Sequence, residues 1–323
     1  SQIEYQKGEV KKGYPPDQDN ETLSSFHLFV SFDLVNFTRT KNAIASLAWI
    51  KILSGFYKYF ANESRKLDGN LWKLRGDEVI LKWEIADAAI LPKLLQTLLA
   101  ASTEFKGTIS KKHGMHPDVK MTAWILEVFS EKSIDNIPKS DTPKARNIHF
   151  DSASMEMRNS YTDYVGPHMD AGFRLTGCAL PTVIVLSVEL VYVISKIESG
   201  FFNANEEMIQ ASRKILGELK VVGFKKFKGI GHGAPYPIIW YSEDWDETKD
   251  LYYLTAENYE HTLLKVLVAA PNNEDMLNKN VYKKDVYKST IYYKQIKEDK
   301  GFIERLADKN PKIASLKTST QSG

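Results

Sequence analysis

Residues 26–32 form a near-continuous apolar run, Phe-His-Leu-Phe-Val-Ser-Phe, that stops abruptly at Asp33. Such a run reads as a strand covered on both faces. Over 40–66 the apolar residues Ile44, Leu47, Ala48, Ile52, Phe56, Tyr59 and Phe60 recur at helical spacing, which predicts a long amphipathic helix crossing the sheet. Residues 71–75 and 78–83, rich in apolar and aromatic side chains, flank Gly76-Asp77. They predict two strands around a tight turn in which Gly76 supplies the bend and Asp77 sits at the tip. A second helix follows over 86–105, carrying Ile90, Leu94, Leu95, Leu98 and Leu99, and then a strand over 119–128 containing Trp124 and Ile125.

The order strand, helix, strand, strand, helix, strand predicts a ferredoxin-like palm of the α/β (α+β) class, an antiparallel-rich sheet flanked by helices. Residues 130–147 contain Pro138, Pro143 and several charges and read as an insertion or long loop. Residues 163–174 lead from a loop into a helix on which Asp170 and Arg174, four apart, share a face. Further elements follow: a short strand at 183–186, helices at 188–197 and 206–219, and strands at 219–227 and 237–241 joined through Lys228-Gly229-Ile230-Gly231-His232-Gly233. Residues 1–24 form a polar arm, 25–245 the main domain, and 246–323 an extension with a helix over 256–268, a Lys- and Tyr-rich stretch over 282–300 and a frayed tail.

With 323 residues, 43% of them apolar, the chain can bury a full core. A net charge of +2 gives no electrostatic reason to expect a nucleic-acid partner. Cys178 is the only cysteine, so an internal disulfide is impossible and a reducing compartment is the simplest expectation. No signal peptide is recognisable and no apolar run approaches the roughly 18–20 residues of a membrane helix. Together these point to a cytoplasmic protein without a membrane partner.

The chemistry centres on carboxylates. Asp33 at a strand end and Asp77 at a hairpin tip become ligands for a divalent cation if neighbouring strands bring them together. Taken singly, a Gly-Asp hairpin is an ordinary turn, Lys73 and Asp163 are solvated charges, and Asp170 with Arg174 is a surface ion pair worth about 0.3–0.5 kcal/mol. The Gly229–Gly233 stretch lacks the full phosphate-loop pattern and reads as a plain turn. His168 and His232 read as structural or exposed.

In chain order, Phe-Asp33-Leu-Val-Asn-Phe37-Thr38, Lys73-Leu-Arg-Gly76-Asp77, Asp163 with Asp170 and Arg174, and Phe-Lys228-Gly229-Ile resemble the successive motifs of the class III nucleotidyl cyclases. The resemblance runs over about 26–242 and implies the cyclase catalytic domain of that family. It also implies an enzyme that closes a nucleoside triphosphate to its 3′,5′-cyclic monophosphate and releases pyrophosphate. By it, Asp33 and Asp77 hold two divalent metal ions (Mn²⁺ or Mg²⁺), Lys73 and Asp163 read the base, and Asp170 with Arg174 handles ribose and the transition state. Backbone amides after Asp33, around Phe37 and Thr38, and the Lys228 ammonium would hold phosphates. It further implies a head-to-tail homodimer with active sites at the interface.

Two departures stand out: Asp170 replaces the family's usual Asn, and Trp124-Ile-Leu-Glu-Val replaces a glycine-rich strand. With Asp-Ala-Gly-Phe-Arg on the helix, the chain looks more like the pyrimidine (uridylate or cytidylate) cyclases of bacterial anti-phage systems than like ordinary adenylate cyclases, which orders the candidate substrates UTP, CTP, ATP. A lysine donor and a carboxylate acceptor read uracil, cytosine or adenine alike, so base size must decide, and Trp49, Trp72 and Trp124 are the bulky candidates to narrow the pocket. Arg75-Gly76-Asp77-Glu78-Val79 is also close to the turn of diguanylate cyclases, which lack the Asp-x-x-x-Arg helix. A non-catalytic nucleotide-binding module is the third reading.

Overall fold

A computed structural model describes residues 24–35, 37, 48–113, 118–130, 147–151, 162–230, 234–243, 288 and 291–309. Thr38, residues 131–146 of the 130–147 loop, the 256–268 helix and His232 therefore lie outside the described residues. The described strands are β1 (Ser24–Leu34), β2 (Asn70–Arg75), β3 (Glu78–Glu84), β4 (Val119–Ser130), β5 (Asn147–Asp151), β6 (Thr162–Val165), β7 (Ile184–Leu186), β8 (Leu219–Lys226) and β9 (Pro235–Tyr241). The helices are α1 (Ala48–Lys66), α2 (Leu91–His113), α3 (Pro167–Thr176), α4 (Val188–Glu198), α5 (Glu206–Gly217), α6 (Ile291–Glu298) and α7 (Lys300–Asp308).

All nine strands join one sheet, with the order β2-β3-β1-β4-β7-β9-β8 and the β5–β6 hairpin attached beside β4. The first four strands pair antiparallel throughout, in the order of a ferredoxin-like palm. β7 adds to β4 in parallel, and β9 and β8 complete the sheet antiparallel.

Strand alternation divides the side chains of β1 between two cores. Phe26, Leu28, Val30, Phe32 and Leu34 face the larger core, with Phe56 and Phe60 of α1, Leu95 and Leu98 of α2, and Leu190 and Ile194 of α4. Phe29 faces the opposite side, where it joins Ile80, Trp124, Leu126, Val128, Tyr164 and Met169 in a smaller aromatic cluster, flanked by Trp72 and Phe173. α3 is the helix that lies on this second face.

Several boundaries differ from the sequence reading. The 86–105 helix is preceded by a 3₁₀ turn (Ala88–Ile90), because the Asp87 carboxylate accepts from the Ala89 N–H at 2.9 Å and caps there, and α2 then runs on to His113. β5 and β6 replace what reads as loop, so Asp163 is a strand residue opposite Phe150. The helices α6 and α7 are not a loose appendage. Tyr292, Ile296, Phe302, Ile303 and Leu306 are buried in the larger core, and Phe302 meets Phe26 edge to face at 5.3 Å. Arg305 grips the buried Glu127 carboxylate of β4 at two points, Nη2 to Oε2 being 2.7 Å. These contacts tie residues 291–308 to the larger core.

Candidate functional site

β1 ends where the chain must turn. Asp33 pairs with Glu78 on β3 and with Lys120 on β4, so it stands on the second face beside the hairpin tip. The Leu34 N–H donates to the Asp77 carbonyl at 3.1 Å, which ties the β1 end to that tip. Gly76 adopts φ +64°, a left-handed conformation that costs a side-chain-bearing residue about 1 kcal/mol or more. A Cβ there would meet nothing within 4 Å, so the backbone, not space, calls for glycine. The Tyr57 hydroxyl of α1 donates to the Gly76 carbonyl and holds the turn from behind. Glu78 is buried and accepts from Ser31 at 2.6 Å.

This setting is acidic and poorly solvated. Burial pushes the Asp33 carboxyl up to about 7; Lys120 and Arg75 pull the other way, and Asp77 and Glu78 add to the rise. A carboxylate that resists ionisation because it is half-buried beside two others is a place where a divalent cation is welcome. Among the described residues no group of three or more His, Cys, Asp or Glu side chains could hold a metal unaided. Two carboxylates fit an ion that completes its shell with substrate phosphate oxygens and water, the usual habit of magnesium and its octahedral relatives.

The base-side residues converge by a different device. The β2–β3 register jumps between Leu71↔Leu81 and Lys73↔Ile80. This bulge lets the consecutive Trp72 and Lys73 both serve the second face, where strict alternation would send one away. The Trp72 indole N–H donates to the Thr162 carbonyl at 2.9 Å and its ring packs on Phe29 and Tyr164. Lys73 Nζ lies 4.7 Å from the centre of that ring and 3.0 Å from Asp163 Oδ1. The two residues predicted to read a base thus meet, although 90 residues apart.

α3 begins with Pro167 at its first turn, a position that loses no helix hydrogen bond. Asn147 of β5 caps it: its Oδ1 accepts from the His168 and Met169 amides at 3.1 and 3.3 Å, while its Nδ2 donates to the Glu127 carbonyl at 3.0 Å. Gly172 sits directly on Trp124, and a Cβ there would lie 2.4 Å from the indole. The large strand residue and the missing helix side chain are two halves of one fit. Trp124 is fully buried, stacked 5.7 Å from Phe29, so it lies beneath the helix as part of the floor.

A cleft of about 480 Å³ opens on this face, lined by Lys73, Leu74, Arg75, Asp170, Phe173 and Arg174. It brings together Lys73, Asp170 and Arg174 as expected from sequence. Its lining does not include Asp163, which meets the cleft only through Lys73, nor Asp33, Asp77 or Lys228. Asp170 and Arg174 are both exposed and form no ion pair with each other, so the surface-pair reading fails for them. Phe37 is 3% exposed and belongs to the larger core, which leaves only its backbone for phosphate contact. Lys228 is exposed at a turn. Arg75 and Phe173 are lining residues that the sequence reading passed over. For Phe173 the signal was there, since it lies three residues after Asp170 and next to Arg174 on one helical face.

No protein-family profile matches the chain, and no curated protein matches its sequence. Among solved structures it is similar to the adenylyl cyclase CyaB from P. aeruginosa, at 12% identity over 69% of this chain and 96% of that one, with a TM-score of 0.49. It is similar to the guanylyl cyclase Cya2 at 11% identity, over 68% and 91%, with a TM-score of 0.46. The guanylate cyclase domain of RhGC from Catenaria anguillulae, solved with GTP, is similar at 11% identity, over 68% and 97%, with a TM-score of 0.44. No described helix is long and apolar enough to cross a membrane.

Proposed function

We propose that the chain is a nucleotidyl cyclase of the class III type, which converts a nucleoside triphosphate to its 3′,5′-cyclic monophosphate and pyrophosphate. One observation carries the reading. A single sheet face presents the Lys73–Asp163 pair, a cleft with Asp170 and Arg174, and at its end Asp33 tied to the Asp77 turn.

In this reading Lys73 donates to, and Asp163 accepts from, the Watson–Crick edge of the base. Asp170 accepts from a ribose hydroxyl, which an acid free of an arginine partner can do. Arg174 faces the α-phosphate, where charge grows as the 3′-oxygen bonds to phosphorus and the bond to pyrophosphate breaks; a fixed guanidinium lowers that barrier more than it tightens the ground state. Asp33 and Asp77 would hold divalent ions, Mn²⁺ or Mg²⁺, whose contribution is to acidify the attacking hydroxyl and neutralise the triphosphate. Lys228 and the backbone around Phe37 and Thr38 complete the phosphate contacts.

The acids lie outside the cleft lining, which supports a site completed by a second copy of the chain. In a head-to-tail homodimer the acids of each copy would meet the cleft of the other. The substrate is a pyrimidine nucleotide, UTP before CTP, and the product a second messenger of bacterial anti-phage defence; the likeness of the Asp-Ala-Gly-Phe-Arg helix and of the Trp124 strand supports this finer assignment. Incubation of the purified chain with each of the four nucleoside triphosphates and Mn²⁺, followed by mass spectrometry, tests it. A cyclic mononucleotide is expected; a dinucleotide product, or none from any substrate, would refute it.

A further inference from the structure

We propose that Phe173 sets base size in the cleft, as a wedge that leaves room beside Lys73 and Asp163 for a one-ring base and blocks a two-ring one. The inference rests on the cyclase reading for its substrate and on packing for its mechanism. Phe173 lines the cleft between Asp170 and Arg174, and three neighbours confine its ring. Beneath it lies Trp124, ring centroids 5.9 Å apart. To one side stands Trp72, at 6.2 Å. The Arg75 guanidinium lies over the ring at 5.8 Å.

Neither tryptophan can yield easily. Trp124 is fully buried, its indole N–H reaches the Met169 sulfur at 3.4 Å, and it stacks on Phe29. Trp72 is fixed by its bond to the Thr162 carbonyl. Nor can α3 sink towards the sheet, because Gly172 already touches the indole without a side chain. In a close-packed interior such a stack does not compress, so the open direction for Phe173 is the cleft itself. The effect of Trp124 on the base is therefore indirect: it raises Phe173. Trp49, the third bulky residue considered from sequence, packs on the larger core on the other face.

The test compares full-length wild type, Phe173→Ala and Phe173→Leu, each checked by thermal melting. Two readouts are taken with Mn²⁺: kcat/KM for UTP, CTP, ATP and GTP, and calorimetric binding of their non-hydrolysable analogues. Wild type is expected to favour pyrimidines. Phe173→Ala should lower the pyrimidine-to-purine ratio by about tenfold or more in both readouts, in the range that a change of pocket shape commonly supplies, with Phe173→Leu between. Wild type favouring purines, or a ratio in the folded variants that stays within about twofold of wild type, would overturn the wedge. If Phe173→Ala does not fold, Phe173→Leu decides. A chain that binds nucleotides but cyclises none sinks the cyclase reading while the binding ratios still judge the wedge; a chain that binds no nucleotide overturns both.

Discussion

Asp33 offers the most direct test, because its two proposed properties oppose each other: it serves catalysis and it weakens the metal-free fold. Its carboxyl moves from 3.8 to about 7, first through burial and then through Asp77 and Glu78. Below about pH 3.8 it is protonated in both the folded and unfolded chain and contributes nothing. Between there and 7 the unfolded chain ionises it while the folded chain keeps the proton, so stability falls as pH rises. Above 7 the loss is complete. At 1.36 kcal/mol per pH unit this amounts to about 4 kcal/mol, and its half-buried position reduces the expectation to about 2–4 kcal/mol.

Asp33→Asn keeps the shape and removes the ionisation. In chelator at pH 8 the variant should therefore melt above wild type by on the order of 3–6 °C, and the gap should close towards pH 4. Mn²⁺ with a non-hydrolysable triphosphate should raise the melting temperature of wild type and leave the variant little changed, while cyclic product disappears in the variant. Thermal scans at the two pH values, with and without Mn²⁺ and the triphosphate analogue, and mass spectrometry of the product check these outcomes. A variant no more stable than wild type at pH 8, or a gap equal at both pH values, would show that burial does not hold the Asp33 carboxyl protonated.

Three further outcomes are expected. Asp77→Ala and Arg174→Ala chains, each inactive alone, should regain activity when mixed, since one intact site forms per mixed dimer; an absence of rescue in turnover assays, or a monomer by light scattering at assay concentration, contradicts the shared site. Arg305→Ala leaves the Glu127 carboxylate buried with Ser24 as its remaining side-chain donor among the described residues, and should cost about 3–5 kcal/mol in denaturant unfolding; an unchanged midpoint would mean that α7 merely rests on the sheet. His27 is held neutral, its pKa lowered from 6.5 to about 3 by burial and then by Lys82 and His149, so the folded state loses stability as pH falls below 6.5. His27→Gln should move the midpoint of acid unfolding to lower pH, and an acid titration followed by circular dichroism would expose an unmoved one.

Much of the palm was legible because its strands and helices obey simple periods. The run to Asp33, the Gly76 turn and the apolar stripe of α1 each announce one element, and the structure keeps them. The missed features depend on contacts between distant residues. β5 and β6 have five and four residues and exist by pairing across a long segment, which no local pattern signals. The bulge at Trp72 is invisible to an alternation argument, which would set Trp72 and Lys73 on opposite faces. The size of Trp124 was plain, but its place under α3 follows from its register with Phe29. For α7 the spacing of Phe302, Ile303 and Leu306 was available, but its place on the sheet depends on Phe26 and Glu127 far up the chain.

The distribution of charge on the second face gives these parts a common logic. Lys73, Arg75 and Arg174 line the cleft, while Asp33, Asp77 and Glu78 gather at the end of β1, where Asp33 already resists ionisation. A triphosphate needs both sets, cations for its oxygens and acids for its metal ions, and metal-binding acids set beside Arg174 in one chain would pair with it before substrate arrived. Of these residues Arg75 does reach towards Glu78, at 3.8 Å, and Arg174 forms no ion pair among the described residues. Placing the two sets apart on one face keeps Arg174 available. A two-fold axis would then bring the acids of each copy to the cleft of the other, so that assembly and substrate binding complete the same electrostatic circuit.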